Sequence, residues 1–115
     1  HDALPIYVLL DPLHFGSGNT LYEGMVYGTP VVTWPGRFMR GRHTLAFYRQ
    51  MGFMDCVADG IESYADLAVR LVHDRAFRAY ARGEIAGRAH RLFDQPGAVR
   101  EAEDCWLKLL RRTGA

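Results

Sequence analysis

Lysine is almost absent from this chain. The sequence has 14 basic residues, and Lys108 is its one lysine. No lysine follows a glycine-rich turn, so a Walker loop, which needs G-K-[ST], is excluded. The third glycine of a G-x-G-x-x-G fingerprint is also missing. After Gly16 and Gly18, Leu21 stands in its place, which excludes the standard dinucleotide motif. Cysteine is scarce: Cys56 and Cys105 lack metal-ligand spacing and read as reduced, mostly buried thiols of a cytosolic protein. No apolar run approaches the ~20 residues of a membrane span, and no secretory signal is present. Neither sign of charge dominates, with 14 basic against 13 acidic residues and a net charge of +1. No nucleic-acid or membrane footprint follows from that balance.

What remains is the composition of one small domain, 49% apolar and 23% charged over 115 residues. The chain does not begin with Met and opens almost directly into a strand, so it reads as a piece of something longer. Residues 1–6 fit poorly with the remainder of the chain and read as a non-native or disordered extension. Residues 7–112 are then the folded part.

Short apolar runs alternate with helical patterns. Ile6–Leu10, bounded by Pro5 and Asp11-Pro12, suits a strand buried on both faces. Asn19–Tyr27 reads as a helix stopped by Gly28. Pro30–Trp34 is a second strand, rich in β-branched residues, and Asp55–Ala58 a third. Arg42–Met51 is helical and closed by Gly52. Ser63 caps a helix whose apolar face is Tyr64, Leu67, Ala68, Leu71 and Val72. Asp74 caps an arginine-rich helix running to about His90, in which His73 before it and His90 complement helix dipoles. Pro96 opens a last helix striped by Val99, Ala102, Trp106, Leu109 and Leu110. Phe77, Tyr80, Trp106 and the leucines are expected in the core. This order predicts an α/β fold with a partial Rossmann-like parallel sheet, the C-terminal portion of a larger domain.

The chemistry concentrates in Asp11–Pro30. A strand, a glycine-rich turn and a helix N-terminus make an anion site, because orphan N–H groups and the helix dipole both favour negative charge there. Gly16 and Gly18 allow close backbone approach and positive φ. Ser17, Asn19 and Thr20 add short donors. Glu23, read as the acid of the helix's first turn, comes three residues after Thr20 and four after Asn19. It is placed to accept from two ribose hydroxyls, so the pattern fits a nucleoside diphosphate; complementing the dipole is its other reading. His14 and Arg42, with Arg37, Arg40 and His43, flank the same crevice or form a solvated basic loop. No nucleophile is evident, since neither cysteine has a nearby base.

The ordered set Asp11-Pro12, Phe15-Gly16, Asn19-Thr20, Glu23, Gly28-Thr29-Pro30-Val31-Val32-Thr33 and Pro35-Gly36 resembles the C-terminal catalytic half of the O-linked N-acetylglucosamine transferase (SPINDLY-like) glycosyltransferases. Asp11–Gly16 is also similar to the D-P-F-x-F-G opening of bacterial protein N-glucosyltransferases of the adhesin-modifying type. Arg42, Gly52, the Tyr64–Asp74 segment, Leu92-Phe93-Asp94 and Trp106 extend the resemblance to roughly Tyr7–Arg111.

The resemblance implies the C-terminal portion of a glycosyltransferase-B fold and a UDP-sugar-dependent hexosyltransferase acting on protein. Gly18, Asn19 and Thr20 would hold the diphosphate and Glu23, in place of the usual Asp, the ribose. His14, Ser17 and Arg42 would lie in the crevice. Gly18 stands where many members have His, and Asn19 replaces the first Thr of their H-T-T pattern. No catalytic residue falls within the chain, no D-x-D motif is present, and neither metal nor cofactor is expected. An upstream half, tetratricopeptide repeats, a UDP-sugar donor and a protein acceptor are the implied partners, with the fragment inactive alone and cytoplasmic. A degenerate nucleotide-binding or interaction domain, or another nucleotide-sugar enzyme of the same fold, is the alternative.

Overall fold

A computed structural model describes residues 6–114; most of the expected N-terminal extension, residues 1–5, lies outside them. Strand β1 (Leu9–Leu10) and strand β2 (Val31–Val32) pair in parallel, Leu9 with Val31 and Leu10 with Val32. Helix α1 (Asn19–Val26) connects them. Beyond β2 come helices α2 (His43–Met51), α3 (Ile61–His73), α4 (Arg75–Arg88) and α5 (Pro96–Arg112). Short 3-10 turns occupy Met39–Gly41 and Ala89–Leu92.

The sheet is shorter than the apolar runs suggest. The expected third strand is reduced to one parallel bridge, Thr33 with Val57. In it the Thr33 N–H donates to Cys56 O at 3.2 Å and the Ala58 N–H to Thr33 O at 2.7 Å. β2 is therefore central and fully buried, whereas Leu10 of β1 is 54% exposed rather than covered on both faces. Apolarity brings a run toward the core, but only a hydrogen-bonded neighbour makes it a strand.

Two glycines let α1 sit close to its neighbours. A Cβ on Gly24 would meet Leu9 Cδ1 at 3.1 Å, so the helix lies tight on β1. Gly28 ends α1 at φ +78, and a Cβ there would stand 2.8 Å from the Arg82 carbonyl oxygen of α4. Gly52 likewise ends α2 in the left-handed region, at φ +77.

The core joins Leu21 and Met25 of α1 with both valines of β2, Tyr48 and Met51 of α2, Leu71 of α3, and Phe77, Ala81 and Ile85 of α4. The Tyr48 hydroxyl donates to Val31 O at 2.6 Å and accepts from Val31 N–H at 2.9 Å. One phenol thus satisfies both backbone groups at the head of β2. Burial, joined by the neighbouring Cys56, pushes that phenol well above its usual range. Burial also pushes the Cys56 thiol up to about 12.

The arginines of α4 and of the 3-10 turn that follows it have structural work. Arg78 donates to Leu71 O at 3.0 Å and Val72 O at 2.7 Å near the end of α3. Arg88 donates to Gly52 O at 2.6 Å and Arg91 to Met51 O at 2.7 Å at the end of α2. Both sets answer carbonyls that a helix end leaves orphaned, where its dipole is negative.

Several local expectations are corrected. Ser63 is not the N-cap residue of α3. The helix starts at Ile61, and Ser63 reaches back to accept from the N–H groups of Gly60 at 3.2 Å and Asp59 at 3.0 Å. Asp74 does cap α4, accepting from Phe77 N–H at 3.0 Å. The α-helix stops at Arg88 and continues to Leu92 as 3-10. Tyr80 and Trp106 are not core: Tyr80 is half exposed with its hydroxyl on Asp55 at 2.8 Å, and Trp106 is 64% exposed. None of α5 is buried, including Leu107, Leu109 and Leu110, and Cys105 is exposed, unlike Cys56.

Candidate functional site

Asp11 organises the glycine turn, a role its place at the end of an apolar run does not announce. It is only 2% exposed. Its N–H donates to Val32 O at 2.9 Å, which continues the β1–β2 ladder. Its carboxylate accepts from the Thr33 hydroxyl at 2.8 Å and from the Ser17 N–H at 3.2 Å. Its carbonyl accepts from the Tyr64 hydroxyl at 2.8 Å. Burial, together with the nearby Asp11 charge, raises the Tyr64 phenol above its usual range and keeps it a donor. A buried carboxylate needs such partners, and here they tie β1, β2, the turn and α3 together. The sequence signal was a single acid closing an apolar run just before proline; Thr33 and Tyr64, remote in sequence, gave none.

The turn is a close fit around this carboxylate. A Cβ on Gly16 would lie 3.2 Å from Asp11 Oδ1 and 3.3 Å from Arg40 O. Gly16 is required by that contact rather than by positive φ. Gly18 has φ −119 and open space around it, so it too departs from the expected left-handed geometry. A side chain fits at Gly18 without a clash.

Hydrogen bonding then sorts the amides. Gly16 N–H is taken by Arg40 O at 2.6 Å, Ser17 N–H by Asp11, and Leu21 N–H by Gly18 O at 3.0 Å. Among the described residues, the N–H groups of Gly18, Asn19 and Thr20 have no acceptor. All three residues are exposed, and no side chain caps the helix. Three adjacent unpaired donors thus lie at a positive, exposed helix end.

Glu23 is exposed at the fifth position of α1. The first turn holds no acid, contrary to expectation, and Glu23 stands one turn deeper, on the same face as Asn19. His14 is exposed and Ser17 half-buried. His14 lines a cleft between its own loop and Gly36–Gly41. Arg42 is drawn elsewhere: its guanidinium donates to Gly36 O at 2.8 Å, and it lines a separate groove along α2 with His43 and Arg49. The structure thus brings Gly18, Asn19, Thr20 and Glu23 to one helix end, leaves His14 in the separate cleft, and turns Arg42 to a supporting role. Among the described residues no three His, Cys, Asp or Glu side chains are grouped to hold a metal.

No protein-family model matches the chain, and no curated protein does. Among solved structures, a point mutant of the Thermobaculum terrenum O-GlcNAc transferase is similar, with a TM-score of 0.81 and 31% identity over 95% of this chain. The chain spans 22% of that enzyme's length. The fold is accordingly that of part of a glycosyltransferase-B enzyme, and the similarity supports a glycosyltransferase-like lineage.

Proposed function

We propose that the chain is the donor-binding piece of a UDP-sugar-dependent protein glycosyltransferase. The observation that carries this reading is the set of three unpaired amides, Gly18, Asn19 and Thr20, at the open end of α1. Such donors suit a diphosphate, and the Thr20 hydroxyl adds a fourth. Glu23, one turn deeper, accepts from the vicinal hydroxyls of the ribose. The likeness to an O-GlcNAc transferase supports the reading.

In this scheme the helix end does its work as the sugar leaves. Negative charge grows on the departing diphosphate, and preformed amides and dipole meet it without reorganisation. Asp11 is a positioning residue: by consuming the Ser17 amide and fixing the turn on Thr33, it aims the next three amides outward. Groups that complete the transfer belong to the remainder of the parent enzyme, as do its repeats.

Calorimetric titration of the chain with UDP and with pyrophosphate tests this. Glu23→Ala is expected to weaken UDP by about tenfold, the size of one charge-assisted hydrogen bond, and to leave pyrophosphate unchanged. Thr20→Ala is expected to weaken both by several-fold. Absence of UDP heat with a folded wild-type chain overturns the reading and favours a degenerate domain.

A further inference from the structure

The cleft beside the turn has a chemistry of its own. It is an open cleft of about 200 Å³ between the Leu13-His14 loop and the Gly36–Gly41 loop. That is below the ~300–1,000 Å³ of typical small-molecule sites, so it suits one side chain rather than a nucleoside. It is lined by Leu13, His14, Arg37, Phe38 and Arg40, with Gly36 and Gly41. Among the described residues the ion pairs are Arg70–Asp74 and Arg88–Glu84, so neither Arg37 nor Arg40 meets a carboxylate.

The two guanidiniums are arranged by an aromatic ring. Phe38 is 57% exposed, with Arg40 4.5 Å and Arg37 5.9 Å from its centroid. Cation–π contact occupies the face of a guanidinium and leaves its in-plane N–H fork free. A fork of that kind matches a carboxylate. The loop carrying it is braced: Gly41 N–H donates to Phe38 O at 3.0 Å, Arg42 to Gly36 O at 2.8 Å, and Gly16 to Arg40 O at 2.6 Å. The last bond joins the cleft directly to the turn, two residues before Gly18. Preorganisation of this kind lowers the cost of binding.

We propose that this cleft is a carboxylate subsite, in which His14, Arg37 and Arg40 receive an acidic side chain of the polypeptide acceptor. The proposal rests on the protein glycosyltransferase reading, which makes a polypeptide the molecule that must lie beside the donor. An isolated pocket on a chain of net charge +1 does not form the basic stripe that nucleic acid requires.

The test is fluorescence anisotropy on the full chain with a labelled glutamate-rich peptide, a glutamine-rich peptide of the same length and a single-stranded oligonucleotide. The glutamate peptide is expected to bind at least about tenfold more tightly than the glutamine peptide and to weaken as salt rises. Arg37→Glu with Arg40→Glu should erase that preference. Arg37→Gln alone, a milder exposed change, should reduce it and covers the case in which the double variant fails to fold. Equal binding of the two peptides, an unaltered preference in both variants, or tighter binding of the oligonucleotide overturns the subsite. UDP titrated into the same proteins separates the two readings. Peptide preference without UDP binding refutes only the donor site. Loss of UDP binding in the charge-reversed chain, with no peptide preference in the wild type, assigns the arginines to the donor's phosphates and refutes the subsite.

Discussion

Helices α4 and α5 carry the same kind of apolar stripe and meet opposite fates. In α4, Phe77, Ala81 and Ile85 recur every four residues and are buried. In α5, Val99, Trp106, Leu109 and Leu110 also recur at helical spacing, and no residue of the helix is buried. The difference lies in the neighbours. α4 packs against α1 and α3, with Gly28 removing the side chain that would hold α1 away. α5 has no comparable partner in the described structure. A stripe therefore states which face of a helix is apolar, while burial depends on another element arriving to cover it.

The contrast can be broken at graded points. Ile85→Ala should cost about 2–5 kcal/mol, the range for emptying a core site, read as a lower denaturant midpoint. If it costs no more than a surface change, α4 is not the spine of the core. Next in size is the thiol pair. Cys56 is buried with its thiol pushed up to about 12, so it should resist Ellman's reagent in the native chain while Cys105 reacts at once. The same shift sets an alkaline limit. The unfolded thiol loses its proton near its ordinary value, but the folded one holds it up to about 12. Between those pH values the folded state binds more protons, so stability falls as pH rises. Tyr48, shifted in the same direction, steepens the fall, and Cys56→Ala should flatten it in alkaline urea titrations. Smallest is Leu109→Ala on α5, expected to change stability by no more than about 0.5 kcal/mol. A loss like that of Ile85→Ala would show α5 packed against the body in solution.

The same lesson holds at the turn. Local chemistry was legible there: Asn19–Val26 is a helix, Gly28 stops it, and Gly18, Asn19 and Thr20 open it. Legible also were Gly52, Asp74 and Pro96 as helix punctuation, because caps and stops act within a few residues. Strand lengths were overread, since a ladder needs a partner from elsewhere in the chain. Arg78 and Arg88 of α4 and Arg91 just after it read only as charge, and their use on the carbonyl ends of α2 and α3 depends on how the helices meet.

By itself the sequence determined the alternation of strand and helix, the placement of a glycine turn before α1, and the residues at that helix's end. Each follows from short-range sterics and hydrogen bonding. Only the tertiary structure decided which amides of the turn remain free. That outcome needs Asp11 buried against Thr33 and Tyr64, and the Arg40 carbonyl brought onto Gly16. A backbone donor has one proton to give, and whether it goes to the protein or to a ligand is settled by atoms far away along the chain.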